Sequence, residues 1–258
     1  MSSLAQVISD FDPHQPTVLP PNWGQGRTIY GGISTALALE AVRRATDGAL
    51  PALRSVQIAF VGPATEALRF EPKVLRQGRS VTTVGVDCLS GEELSLRATF
   101  VFADPRESSI SHELSKKPQV DGPEAYRSVP ALPMLPAFLS NFDVRFAGKS
   151  LSVTGSDDPE LIAWVRHRDS AGVDPAVAVL ALADCLPPAT MVSFKEFKPA
   201  SSVTWSVDFA RPAVPGEWFL LRSSSQRASG CYSYQTMEIW DEQGAPVVAG
   251  SQTVAIFV

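Results

Sequence analysis

The strongest constraint in this sequence is an order that occurs twice: an apolar helix pattern followed by four stretches that alternate polar and apolar residues. The first helix pattern is GGISTALALEAVRRA from Gly31. RSVQIAFV from Arg54, LRFEPKVLRQ from Leu68, SVTTVGVDCL from Ser80 and LSLRATFVFA from Leu94 then alternate with the period of strands. The second helix lies in VDPAVAVLALADCLPPA from Val173, preceded by the strand patterns NFDVRFAG from Asn141 and LIAWVRHR from Leu161. SVTWSVDFARP from Ser202, WFLLRSSSQ from Trp218, CYSYQTMEIW from Cys231 and VVAGSQTVAIFV from Val247 follow it. The punctuation repeats as well. Phe60-Val-Gly-Pro63 answers Phe209-Ala-Arg-Pro212, and the turn Leu89-Ser-Gly-Glu92 answers Asp241-Glu-Gln-Gly244. This order predicts an α+β fold of two tandem copies, each a central helix wrapped by an antiparallel β-sheet. The copies should occupy 1–103 and 137–258. The segment 104–136, rich in Ser, Pro and charge and without steady periodicity, should link them.

Composition narrows the function. A chain of 258 residues, 45% hydrophobic and 19% charged, can bury a sizeable core. Its net charge of -5 and the lack of any Lys/Arg run beyond two residues argue against a nucleic-acid surface. Cys88, Cys185 and Cys231 are far apart and odd in number, which disfavours a disulfide framework or a zinc site. No metal or cofactor is implied, and a cytoplasmic location is the default. No apolar run reaches the roughly 18 residues of a membrane span, and no signal peptide is read at the N-terminus.

The second helix raises a chemical question. Asp174 is placed to cap its free amides, Pro175 occupies the first helical position, and Pro187 and Pro188 end it. Every residue between Pro175 and Ala183 is Ala, Val or Leu, so no polar stripe exists and the helix should be buried on most sides. Asp184 stands in its last turn, where the helix dipole disfavours a negative charge by some tenths to about 1 kcal/mol. Two readings follow. The carboxylate ties down neighbouring backbone amides, or it is a general base whose pKa burial has raised. Laying ALALEA from Ala36 over LALADC from Leu180 puts Glu40 opposite Asp184. Glu40, three and four residues before Arg43 and Arg44, reads as a helix ion-pair residue.

A helix wrapped by an antiparallel sheet, twice in one chain, resembles the double hotdog acyl-CoA thioesterases, the TesB-like family, over most of the chain outside the linker. YGGISTALALEAV resembles the family's Gly-Gly helix start, and LRQGRSVTTVGVDC its Arg-x-Gly-x-Ser strand, here Arg76, Gly78 and Ser80. LALADCLPPA resembles its helix ending in a catalytic Asp before a Pro-bearing turn, and SVDFARP its strand with Phe before Arg-Pro. The resemblance implies a hydrolase of lipid metabolism that converts acyl-CoA to free fatty acid and coenzyme A. It also implies a water held by Asp, by Ser or Thr, and by Gln. Asp184 matches the Asp, and Ser202, ten residues before Pro212, matches the Ser or Thr. The third position is open between Gln252, the only glutamine of the last strand, and Thr253, which an ungapped alignment through Val248-Ala249 places there. Neighbouring strand residues face opposite sides, so only one can point at the site.

A water with a carboxylate base suffices for so activated an ester. The substrate carbonyl then needs donors, and amides at a helix start can serve, at Gly31 and Gly32 or around Val173. The glycines read equally well as a tight strand-to-helix turn needing positive φ. Ser202 also reads as a polar residue on the exposed side of an alternating strand. Arg54, Arg76, Arg79, Lys195 and Arg227 are candidates for the coenzyme A phosphates. Gly32-Ile-Ser34-Thr-Ala36 half-resembles a nucleophile elbow but lacks its second glycine, and a hydratase would want a His near Asp184, where the prolines stand. The alternative from another class is a non-catalytic acyl-CoA or acyl-chain binding protein of the same fold. Homo-oligomers rest on analogy alone.

Overall fold

The computed structural model describes residues 2–46, 50–130, 132–213 and 215–258. Helix α1 (Leu4–Asp10) and a small hairpin, β1 (Gly24–Gln25) and β2 (Thr28–Ile29), lead into the long helix α2 (Gly31–Ala45). Strands β3 (Leu53–Phe60), β4 (Leu68–Gln77), β5 (Val81–Ser90) and β6 (Glu93–Ala103) follow. The second half contributes β7 (Phe142–Phe146), β8 (Glu160–His167), α3 (Pro175–Ala183), β9 (Ala200–Phe209), β10 (Phe219–Ser229), β11 (Tyr232–Asp241) and β12 (Pro246–Ile256). All ten strands from β3 to β12 form one antiparallel sheet in the order β4-β5-β6-β3-β9-β12-β11-β10-β8-β7.

The sheet runs unbroken through the β3–β9 seam, and its register there carries the internal repeat. Matching Phe60 with Phe209 makes Gln57 the counterpart of Ser206. These two residues stand directly opposite each other, with the Gln57 amide donating to Ser206 Oγ at 2.9 Å. A residue facing its own counterpart marks a twofold relation between the halves.

Alternation drives the strands onto the helices. In β5 the buried residues are Thr82, Val84, Val86, Cys88 and Ser90, and in β12 Gln252, Val254 and Ile256 keep the same parity. α2 is buried continuously from Gly32 to Val42, and α3 from Val179 to Ala183, which is why neither needs a wide polar face. Each fully covered Leu or Ile of this pair contributes on the order of 1.5–3 kcal/mol. The helices lie antiparallel. At one end the Tyr30 hydroxyl donates to the Ala181 carbonyl at 2.9 Å, and at the other Arg43 meets Asp174 at 2.5 Å. The C-terminus of α3 is thereby brought to the N-terminus of α2.

The α1 segment buries Leu4, Val7, Ile8 and Phe11, the last edge-on to Phe70. The expected linker holds neither strand nor α-helix among its described residues; Ala131 lies outside them. It is fastened to the outer face of the second half, where Trp164 donates to the Asp121 carbonyl and Ser115 bonds Glu238. Among the described residues no helix is long and apolar enough to cross a membrane.

Candidate active site

Asp184 forms the C-cap of α3, with φ -91° and ψ 7°. Its carboxylate leaves that helix end and enters the first turn of α2. Gln252 on β12 donates through Nε2 to Oδ1 at 2.7 Å, and the Gly32 amide donates to the same carboxylate. The two glycines make room for it. A Cβ on Gly31 would stand 2.9 Å from Asp184 Oδ2, and one on Gly32 would stand 2.5 Å from the Tyr30 ring. Neither glycine has a positive φ, so close approach rather than a left-handed turn explains the pair.

Burial lifts the Asp184 pKa most; the bonds from Gln252 and Gly32 pull it down, and the result is a carboxyl raised to about 7. The dipoles of its own helix end and of the start of α2 act in opposite senses, each by under about 1 kcal/mol, so desolvation wins. A small accessible edge of the residue remains. Around it, burial and the nearby carboxylate hold the Tyr30 phenol well above its ordinary range, and Tyr30 stacks on Phe138 at 3.9 Å. Burial likewise pushes the adjacent Cys185 thiol up, so it is not a nucleophile. The result is a carboxylate poised to change protonation near neutrality, held by two donors against a helix N-terminus.

Strand parity separates the remaining candidates. Gln252 stands opposite the buried Trp205 on the inner face, whereas Thr253 pairs with Thr204 and the half-exposed Tyr234 on the outer face. Thr253 therefore points away from Asp184, and the ungapped alignment loses to the pleat. Ser202 would face outward in a regular β9. A bulge between the Thr204–Thr253 and Ser202–Val254 pairs instead sets it opposite the buried Val254, on the face that carries Gln252. Among the described residues the groups bonded to the Asp184 carboxylate are Gln252 and Gly32; Ser202 is half-buried and is not among them. The amides around Val173 are committed elsewhere, Val173 to Ser170 and Ala176 and Val177 to the Asp174 cap, at the far end of the helix pair. Ser34 donates to the Tyr30 carbonyl and His167 is bonded to the Ala178 carbonyl, so the two do not form a nucleophile and base. Arg54 is spent on the Ala103 carbonyl, while Arg76, Arg79, Lys195 and Arg227 are exposed.

One residue went unnoticed in the sequence. Gln235 on β11 lies directly opposite Gln252, is 1% exposed, and donates to its Oε1 at 2.8 Å. The signal was there, since Ser233, Gln235, Met237 and Ile239 share the inward parity of β11 and a long amide among them demands a partner.

The twofold-related place at the other end of the helix pair lacks this chemistry. Carrying the Phe60–Phe209 match along the ladders makes Val56 the counterpart of Trp205, and its neighbours Phe100 and Val84 the counterparts of Gln252 and Gln235. Glu40, opposite Asp184 in the repeat, is held by Arg43 at 3.3 Å and Arg44 at 2.8 Å. A cavity of about 200 Å³ lies there, lined by Leu39, Arg43, Leu53, Phe102 and Asp174.

Two family models match the chain. The acyl-CoA thioesterase N-terminal domain matches residues 19–103, and the acyl-CoA thioesterase C-terminal domain matches residues 114–256. The chain belongs to the acyl-CoA thioesterase family. Its architecture is shared by a conserved protein of unknown function with hotdog fold from Alicyclobacillus acidocaldarius, 23% identical, with a TM-score of 0.81 over 93% of this chain and 91% of that one. A TesB protein of Mycobacterium avium subspecies paratuberculosis is 20% identical, with a TM-score of 0.76 over 94% and 91%. An acyl-CoA thioesterase II of Mycobacterium marinum is 22% identical, with a TM-score of 0.72 over 88% and 89%. No match was found among curated proteins. The match to the N-terminal domain begins ahead of the Gly31-Gly32 turn and the match to the C-terminal domain takes in Asp184, Gln235 and Gln252, so the thioesterase family assignment covers every residue of the cluster.

Proposed function

We propose that the protein hydrolyses acyl-CoA to a free fatty acid and coenzyme A, with Asp184 as general base. The observation that carries the reading is the Asp184 carboxyl, raised to about 7 by burial and held by Gln252 at the start of α2. A base titrating there is about half ionised and still basic at neutral pH, the condition for efficient proton transfer. Asp184 takes a proton from a water as its oxygen bonds to the thioester carbonyl carbon. The C–S bond of the tetrahedral adduct then breaks, and the thiolate leaves with the proton that Asp184 returns. Gln252 and Ser202 orient the water. The Gly32 amide is occupied by Asp184, so Gly31 is the better donor for the developing oxyanion. We read 1–103 and 137–258 as tandem hotdog domains joined by 104–136, of which the second supplies the base. The three unpaired cysteines support a reducing, cytoplasmic location.

The test is thiol release from short, medium and long acyl-CoAs, comparing the native protein with Asp184→Asn. Release that falls a hundredfold or more in the variant supports the reading, since general bases contribute roughly 10²–10⁴. A folded native protein that binds acyl-CoA and releases no thiol would instead be an acyl-CoA binding protein.

A further inference from the structure

We propose that Gln235 is a positioning residue that fixes the direction of the Gln252 amide and, through it, the carboxylate of Asp184; this rests on the reading of Asp184 as the base. The argument begins at a backbone group. The amide of Ala189 donates to Gln235 Oε1 at 2.8 Å, and a backbone N–H can only donate. Gln235 must therefore present its oxygen to Ala189 and its nitrogen to Gln252, whose Oε1 accepts at 2.8 Å. That leaves Gln252 with its nitrogen toward Asp184, at 2.7 Å. Reversing either amide would set two acceptors, or two donors, against each other in a site from which water is largely excluded. One immovable donor thus sets the polarity of the whole chain.

Two further features separate this from ordinary packing. The same register positions in the first half hold Val84 and Phe100, so the sheet accepts apolar residues there where no acid has to be held. Ala189 also lies just beyond the Pro187-Pro188 turn that follows Asp184, so Gln235 ties the base down twice, through the Gln252 side chain and through the backbone leaving α3.

The experiment compares the native protein with Gln235→Met and Gln235→Glu. It measures kcat/KM against pH for thiol release, the carboxyl titration of Asp184 by carbon-13 NMR assigned from Asp184→Asn, and Tm. Methionine fills the space but offers Gln252 no donor. The acid limb of the rate profile and the Asp184 titration should both move upward by about one pH unit, a tenfold loss of rate below the limb that is recovered above it. Glutamate keeps the shape of Gln235 and, once ionised, draws the Gln252 nitrogen to itself, so the shift should exceed that of methionine. It also keeps the test intact should the methionine variant not fold. A folded variant with a lower Tm and an unmoved Asp184 titration would overturn the proposal and leave Gln235 as packing. A moved titration in a protein whose native form releases no thiol would uphold the positioning role and sink the hydrolase reading instead.

Discussion

Replacing Asp184 by Asn should stabilise the protein above neutral pH while abolishing its chemistry, and the size of the gain should depend on pH in a calculable way. The folded-state carboxyl titrates at about 7 against an ordinary value of 3.8. A raised folded pKa means that this carboxyl favours the fold most below 3.8 and loses that contribution as pH rises to 7. At about 1.36 kcal/mol for each pKa unit, the raised pKa of Asp184 costs the fold about 4 kcal/mol by pH 8, but only about 1.5–2 kcal/mol at pH 5. Asparagine does not titrate. It also leaves the Gly32 amide facing an NH₂ group, at a pH-independent cost of about 1–3 kcal/mol. The absolute gain at one pH therefore mixes two effects, whereas its change with pH isolates the carboxylate. Between pH 5 and pH 8 the advantage of the variant should widen by about 2–3 kcal/mol. For a chain of this size that is roughly 5–10 °C in the difference between the two Tm values. Melting curves of both proteins at closely spaced pH values provide the assay. Melting temperatures that stay parallel across the range would refute the claim that Asp184 is a desolvated carboxylate.

Four further outcomes follow from the same geometry. Gln252→Met removes the donor to Oδ1, so thiol release at pH 7 should drop at least about tenfold and partly return at pH 9, as a pH–rate profile would record. Gly31→Ala sets a methyl 2.9 Å from the carboxylate, while Gly32→Ala drives one into the stacked Tyr30 ring at 2.5 Å. The first should lower turnover with little change in stability, and the second should cost about 1–3 kcal/mol in urea unfolding. Glu40→Gln should leave thiol release within about twofold of native and cost up to about 1 kcal/mol, because Glu40 meets only partly exposed arginines on its own helix.

Much of this architecture was written in local pattern. The strands and both long helices follow from alternation and from caps such as Asp174 with Pro175, signals that need no knowledge of distant residues. Asp184 stood out because a lone acid in an apolar helix has no local partner. Ser202 was harder, since its facing depends on a bulge that the alternation of β9 conceals. Gln235 was missed for a related reason: its value lies in three partners, Gln252, Ala189 and through them Asp184, contributed by separate elements. The Gly31-Gly32 pair misled in its cause. A left-handed turn and a close approach by a side chain from 150 residues away leave the same mark in a sequence, and only the fold tells them apart.

The β3–β9 seam has a consequence for how the protein is made. Over Ser55–Ala59 the strand that completes β3 is β9, and it leaves the ribosome some 150 residues later. Until then the N-terminal half carries an open sheet edge, a template for any passing strand. Gln57 lies at the centre of that edge, where the relation to Ser206 is twofold, so a second nascent chain could dock its own β3 there in the same register. Synthesis thus pits intramolecular completion against pairing between chains. Conditions that slow translation beyond residue 104 should shift the yield from the completed fold toward β3-paired chains and aggregate, with no change in the stability of the finished fold.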